Sequence, residues 1–209
     1  YLEAIGSFLA ARYSGTQGKG QVDNWIVGNE VTARVQWNYI QNMSVEAYAE
    51  EYAKALRTFY IAIKSQNANA RVFTCIDQVW ERNNKSDLAV RYDSKDFLIA
   101  LNNNIKASGN FSWGVACHPH PVPLTYAPFW SGGAYYKNLI KHSQNTPFMS
   151  MENIEVLTDF LCTPDMLTAF GNCRPVIVSE VGYTSTQGEN NQAAALMYGY
   201  IQAKNNSYI

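Results

Sequence analysis

The chain has 209 residues, of which 47% are hydrophobic and 16% charged, with 16 Lys and Arg against 17 Asp and Glu. This composition is typical of a globular domain and excludes disorder, collagen and coiled coil. The net charge of −1 and the lack of a basic run argue against nucleic acid or an anionic membrane as a partner. No apolar stretch approaches the roughly 18 residues of a spanning helix. The expected ligand is therefore uncharged.

Helical and strand-like segments alternate along the chain, which begins at Tyr1 inside a predicted helix. Four short apolar and β-branched runs predict strands, and they cover residues 24–30, 71–77, 111–118 and 174–180. The periodicity between them predicts helices over 44–66, with Ser44 as N-cap, and over 96–107, ending before Gly109. Helical patterns also occupy 135–142 and 152–160, and a final helix is expected over 191–204.

Strands that alternate with helices indicate βαβ units and a parallel sheet. The expected fold class is therefore α/β, in one domain over 1–209. A nucleotide-binding doubly wound sheet is disfavoured, because neither G-x-G-x-x-G nor G-x-x-x-x-G-K-[ST] occurs. A (β/α)₈ barrel typically needs about 250 residues, so four predicted strands indicate roughly half of such a barrel.

The four cysteines lack the spacing of zinc ligands. Cys75 and Cys117 lie in apolar strand-like runs, where buried thiols are expected. Cys162 and Cys173 pair if the compartment is oxidising, which the sequence leaves open.

Two predicted strands end in a glutamate, Glu30 in the run GNE and Glu180 in the run VSE. Parallel α/β sheets bind ligands at the carboxyl ends of their strands. Alternation places Ile26 on the face of Glu30 and Val176 on the face of Glu180, and both carboxylates enter one cavity if those faces point inward. Glycoside hydrolysis requires two carboxylates, one to protonate the departing oxygen and one to attack the anomeric carbon or activate water. Either glutamate alone is equally well explained as a solvated or helix-capping residue.

Aromatic and polar side chains near the same predicted edge are candidates for sugar binding. Sugar rings present apolar C–H faces, and binding pockets combine an apolar lining with a few polar groups. The candidates are Asp77, Gln78, Trp80, Trp130 and Tyr183. For each of them, capping or core packing is an equally good explanation. A weaker hypothesis extends the cleft wall through residues 37–39.

His118 and His120 follow the third predicted strand and are expected to line the pocket, the alternative being packing beside a proline-flanked loop. Residues two apart in an extended segment point to opposite sides, which is poor geometry for one metal ion without further ligands. The sequence therefore predicts no metal and no cofactor.

Three motifs carry a resemblance to a known clan. The run WIVGNEV over 25–31 resembles the fourth-strand motif of the clan A retaining glycoside hydrolases, and VIVSEVGY over 176–183 resembles their seventh-strand motif. The run WGVACHPHP over 113–121 matches the position of the clan's sixth-strand histidine or aromatic residue. Within the clan, the likeness is closest to a bacterial group of glycoside hydrolases that is largely uncharacterised.

The resemblance implies a TIM (β/α)₈ barrel of which the chain carries strands four to seven, with strands one to three and strand eight missing. It implies that Glu30 is the general acid/base, Glu180 the nucleophile and Asn29 a partner of the sugar 2-hydroxyl. His118 would bond the nucleophile or the sugar, and His120 stands where many relatives have tyrosine. The charge of the second carboxylate is expected to raise the pKa of Glu30, as an acid requires. A secreted or cell-surface bacterial enzyme is also implied.

The resulting prediction is the retaining hydrolysis of β-glycosidic bonds in an oligo- or polysaccharide. The expected partners are the carbohydrate substrate and, over the exposed strand edges, a second copy or the missing half of the barrel. The alternative is a catalytically silent carbohydrate-binding barrel. A lyase or isomerase is a weaker option, because no metal or cofactor motif is visible.

Overall fold

Helices and strands alternate as predicted in the computed structural model, which describes residues 1–84, 90–131 and 138–209. In chain order the elements are α1 (Leu2–Arg12), β1 (Asn24–Ile26), α2 (Val45–Gln66), β2 (Arg71–Ile76), α3 (Ser94–Ala107), β3 (Gly114–Cys117), a 3₁₀ turn (Phe129–Ser131), α4 (Glu155–Leu161), β4 (Val176–Val178) and α5 (Glu189–Asn205). The predicted α/β class is confirmed.

The four strands form one parallel sheet in the order β1-β2-β3-β4, curled into a half-barrel. Each strand is shorter than predicted. The first ends at Ile26, because Gly28 has a φ of +84° and leaves the extended conformation. The fourth ends at Val178. Glu30 and Glu180 therefore lie beyond the ends of their strands, in the loops that follow them.

The two faces of the sheet contact different parts of the core. The outer face packs against the helices in the main core and includes Val72, Ile76, Val115, Cys117 and Val176. The concave face carries a smaller cluster of Phe73, Cys75 and Ala116, with Ile177 packed against it. Val176 and Val178 lie on the helix side, so the condition that their face points inward is not met in β4. Strand alternation is not what brings Glu180 to the site.

The two longest helices of the first half match their predictions. Ser44 caps α2, and its Oγ accepts a hydrogen bond from Ala47 N at 3.2 Å. α3 begins two residues earlier than expected, at Ser94, and Gly109 follows its end with a φ of +101°, the left-handed conformation that favours glycine there. Among the described helices, none combines the length and apolarity needed to cross a membrane.

The segment between β3 and β4 is less helical than predicted. Of the helix expected over 135–142, residues 135–137 lie outside the described residues, and 138–142 form turns and irregular backbone. The Asn153 side chain donates to the carbonyl oxygens of Lys141 and Phe148 at 2.9 and 3.1 Å, which satisfies this loop without a helix. α4 starts at Glu155, three residues later than predicted, and α5 extends slightly beyond its predicted range at both ends.

The cysteines divide into two pairs. Cys162 and Cys173 form a disulfide with an S–S distance of 2.08 Å, which answers the question that the sequence left open. Cys75 and Cys117 are buried free thiols, as expected.

The two edges of the half-barrel differ in how they are covered. β1 and β4 each have one neighbouring strand. At the outer edge of β4, Val176 N donates to the carbonyl of Tyr208 at 3.1 Å, so the chain returns along this edge after α5. The first and last helices expose apolar side chains, namely Leu2, Ile5 and Phe8 on α1 and Leu196, Met197, Tyr200 and Ile201 on α5.

Gly114→Ala is expected to lower the free energy of unfolding by about 1–3 kcal/mol through overpacking. The added methyl group would lie 2.5 Å from ring carbons of Phe73 and 2.8 Å from the carbonyl oxygen of Pro175. Gly182→Ala is the matched control, because a methyl group there meets no atom within 4 Å. Urea unfolding compares the two variants, and equal midpoints would contradict the close approach of Phe73 to the β3 backbone.

Candidate active site

Glu30 is held at the carboxyl edge of the sheet by the strand next to its own. Val31 N donates to the carbonyl of Cys75 at 2.9 Å, and Glu30 N contacts Cys75 Sγ at 3.4 Å. Glu30 itself has a φ of +40°, a left-handed conformation that costs a non-glycine residue about 1 kcal/mol. The loop thus adopts a strained backbone that turns the carboxylate over the end of β2 and β3.

His118 lies between the two glutamates. Its Nδ1 is 2.9 Å from Glu30 Oε1 and 3.6 Å from Glu180 Oε2. The other ring nitrogen, Nε2, is 3.4 Å from Cys75 Sγ, and only 2% of the residue is exposed. The imidazole therefore joins the loop after β1, which carries Glu30, to the loop after β4, which carries Glu180.

His120 faces the same carboxylates. Its Nε2 is 3.3 Å from Glu180 Oε1, so the expectation that His118 and His120 point to opposite sides is wrong. The strand has already ended at Cys117, and His120 N donates to the carbonyl of His118 at 2.9 Å. This hydrogen bond closes a three-residue turn around Pro119, which brings both imidazoles to one side.

The electrostatics of the site centre on Glu30 and His118. The hydrogen bond from His118 lowers the pKa of Glu30 and outweighs its burial, which acts in the opposite direction; the indole of Trp37 lowers this pKa further. The expectation of a raised pKa at Glu30 is therefore wrong. Burial lowers the pKa of His118, but its contacts with Cys75 and Glu30 outweigh burial and raise it to about 10. At neutral pH the two side chains form an imidazolium–carboxylate pair.

Trp37 and Asn38, which entered the sequence analysis only as a weaker cleft-wall hypothesis, belong to the site, and Cys75 was not recognised as part of it. Trp37 Nε1 donates to Glu30 Oε2 at 2.7 Å, although 55% of Trp37 is exposed. The neighbouring amide of Asn38 contacts three carbonyl oxygens of the 30–33 segment at 3.3–3.5 Å and folds the loop back. Cys75, which we expected only as a buried thiol, contacts both the backbone of Glu30 and the ring of His118. Trp37 is only seven residues from Glu30 in the sequence, which suggested that the two are close. The sequence did not predict that the loop turns the indole back to the carboxylate.

Asp77 has a structural role next to the site, and Gln78 follows it in the chain. The carboxylate of Asp77 is buried and accepts hydrogen bonds from Val79 N, Ser94 Oγ and the guanidinium of Arg91. Burial raises the pKa of Asp77 to about 6, against the effect of Arg91. Gln78 is half-buried, and its Oε1 has no hydrogen-bond partner within the ranges that the structure describes. Asp77 therefore orders the start of α3 and is not open to a sugar.

The predicted aromatic platforms lie elsewhere. Trp80 is fully buried and packs edge-on against Phe160, and Tyr183 is 7% exposed and stacks on Phe129. Both are core residues, so their predicted sugar-binding role is wrong. Trp130 is 39% exposed and packs against Tyr198 of α5. Asn29, directly before Glu30, is exposed.

A model for a family of unknown function, DUF5722, matches residues 1–209. The chain belongs to the DUF5722 family. No curated protein sequence matches the chain. For this DUF5722 member, the function is inferred from the geometry around His118.

Glu30→Gln is expected to lower the pKa of His118 from about 10 towards its ordinary value, because the neutral amide removes the paired charge. A histidine with a raised folded-state pKa contributes stability that is complete below about pH 6.5 and is lost as the pH rises through about 10. The free energy of unfolding should therefore fall over this range, and fall less steeply in Glu30→Gln. Urea unfolding between about pH 6.5 and 9.5 measures both slopes, and identical slopes would contradict the ion pair.

Proposed function

We propose that this protein hydrolyses β-glycosidic bonds with retention of configuration, using Glu30 and Glu180 as the two carboxylates. The observation that carries the proposal is the bridging position of His118, whose Nδ1 contacts a carboxylate oxygen of each glutamate. Two acids from different strand ends thereby face one space at the carboxyl edge of a parallel sheet, where α/β folds bind ligands. The near-neutral charge of the chain fits an uncharged sugar.

The two carboxylates lie close enough to act on one sugar. Contacts of 2.9 and 3.6 Å to the same nitrogen limit the gap between Glu30 Oε1 and Glu180 Oε2 to 6.5 Å, the sum of the two distances. Retaining enzymes hold their carboxyl groups about 5–5.5 Å apart, whereas inverting enzymes need about 6.5–9.5 Å to admit a water molecule. The limit on this oxygen pair is compatible with both ranges, and the assignment of retention follows the clan resemblance.

In the proposed first step, a carboxylate oxygen of Glu180 attacks the anomeric carbon and the bond to the leaving oxygen breaks as that oxygen takes a proton from Glu30. Water then attacks the same carbon, Glu30 takes a proton from it, and the bond to Glu180 breaks. This assignment follows the clan resemblance. The exposed carboxylate of Glu180, 57% accessible, is open to a sugar.

The ion pair gives the acid an unusual source for its proton. Glu30 is ionised at rest, and the proton of the pair lies on His118 Nδ1, 2.9 Å from Oε1. In this proposal the proton moves from His118 to Glu30 when the sugar covers the ion pair. Loss of water then disfavours the charges on both side chains. The opposite assignment, with Glu30 as nucleophile, is favoured by its two hydrogen-bond donors and is distinguished by the experiment below.

The proposed architecture is a closed (β/α)₈ barrel in which the four strands are the fourth to seventh. Tyr208 already pairs with the outer edge of β4, where an eighth strand would lie. The apolar side chains exposed on α1 and α5 are those that neighbouring helices of a closed barrel would cover. Closure also removes the two open edges of the sheet.

Azide rescue of Glu30→Ala and Glu180→Ala in the full-length protein tests the activity and both roles. With a dinitrophenyl β-glycoside, Glu180→Ala should lose on the order of 10³-fold or more in kcat. Azide should then attack the substrate directly and give the α-glycosyl azide. Glu30→Ala should still form the glycosyl-enzyme, because this leaving group needs no proton, and azide should give the β-glycosyl azide.

Glu189→Gln is the matched control, as Glu189 is exposed in the first turn of α5 and should keep full activity. Exchanged stereochemistry of the two products would reverse the roles of the glutamates. Sugar binding by calorimetry without turnover on any aryl β-glycoside would instead support a silent carbohydrate-binding barrel and overturn the hydrolase.

A further inference from the structure

Three side chains of the site converge in a way that hydrolysis alone does not require. Glu30, His118 and His120 each offer one nitrogen or oxygen atom, and these atoms all lie within 4.8 Å of one another. Glu180 contacts both imidazoles, at 3.6 Å from His118 Nδ1 and 3.3 Å from His120 Nε2. Glu180 thus lies beside the three-atom cluster and meets its two imidazoles through different oxygens, Oε2 and Oε1.

The donor set has a clear chemical preference. Imidazole nitrogen combined with carboxylate oxygen suits Zn²⁺ and similar transition metals, whereas Mg²⁺ and Ca²⁺ prefer oxygen ligands alone. The charges also match, because Glu30 and Glu180 together supply two negative charges for one divalent ion. Ligand atoms about 2.0–2.2 Å from a tetrahedral ion lie about 3.3–3.6 Å apart. Glu180 already meets the two imidazoles at 3.6 and 3.3 Å, whereas the 2.9 Å contact between Glu30 and His118 must lengthen and lose its proton when an ion enters.

Partners outside the cluster already orient its members. His118 Nε2 contacts Cys75 Sγ at 3.4 Å, which turns Nδ1 towards the glutamates. Trp37 holds Glu30 Oε2 at 2.7 Å and leaves Oε1 directed at His118. Metal sites commonly fix the unused ring nitrogen of a histidine and the unused oxygen of a carboxylate in this way.

We propose that Glu30, His118 and His120, with Glu180 as a fourth ligand, bind one Zn²⁺ per chain in the space between the two glutamates. The site is independent of whether the protein hydrolyses sugars. A second consequence rests on the proposed function: the ion occupies both catalytic carboxylates, so Zn²⁺ inhibits hydrolysis and competes with the carbohydrate.

Zinc titration of the full-length protein against a chromophoric chelator tests the site directly. We expect one ion per chain with a dissociation constant in the micromolar range or below, unaffected by millimolar Mg²⁺. His120→Gln and Glu180→Gln should each weaken binding at least 10-fold. His142→Gln is the matched control, because His142 is exposed and pairs with Glu155 at 2.6 Å away from this cluster; it should bind like the wild type.

Loss of stoichiometric binding in His142→Gln with retention in His120→Gln would overturn the proposal, as would the absence of binding at about 100 μM Zn²⁺. His120 is used because it is half-buried, whereas replacing the buried His118 risks unfolding.

Co²⁺ gives a second readout. Visible bands without an intense thiolate-to-cobalt band support the cluster, whereas a strong thiolate band assigns the ion to Cys75 and contradicts it. Neither measurement requires hydrolysis, so an inactive protein that binds zinc overturns only the proposed function.

Discussion

The parallel register of the four strands brings the polar loops that follow β1, β3 and β4 to one edge of the sheet. Cys75 lies opposite Ala116 and Cys117 opposite Val178, so the chain leaves β3 and β4 side by side. The backbone of Ser179 still donates to the carbonyl of Cys117 at 3.2 Å beyond the end of β4. Because this pairing fixes the loops relative to one another, His118 reaches glutamates that are distant from it in the sequence.

Within this frame, one buried imidazole determines the charge state of the site. His118 replaces water as the hydrogen-bond donor to Glu30, and Cys75 holds the ring in place behind it. An ion pair with 3% and 17% exposure of its side chains is screened much less by salt than a surface pair. The proton on Nδ1 and a metal ion would occupy the same place, so the proposed proton source and the proposed zinc site are alternative states of one cluster.

The order of the elements, the α/β class and four of the site residues were predictable from the sequence. Glu30, Glu180, His118 and His120 were found because polar residues directly after apolar strand-like runs lie at one edge of any parallel sheet. The same rule selected Asp77, which instead satisfies buried groups around α3, and it selected Trp80, which enters the core. Periodicity cannot separate these cases, because they depend on where a loop turns after its strand.

The missed features have the same origin. The turn that aligns the two histidines, the return of Trp37 to Glu30 and the lowered pKa of Glu30 all arise from contacts between loops. Val176 lies on the helix side of β4, yet Glu180 reaches the site because the strand ends at Val178, before the glutamate. The sequence therefore predicted that the two glutamates lie close together, but it did not predict the loop conformations that bring them there.

The backbone at position 30 carries two opposing contributions to stability. Glycine would adopt the φ of +40° without penalty, but it would leave the buried imidazolium of His118 without its carboxylate. Breaking a buried pair costs more than the about 1 kcal/mol of strain that the left-handed conformation imposes on a non-glycine residue. The fold therefore keeps an unfavourable backbone conformation at this position because the side chain it presents neutralises a buried charge.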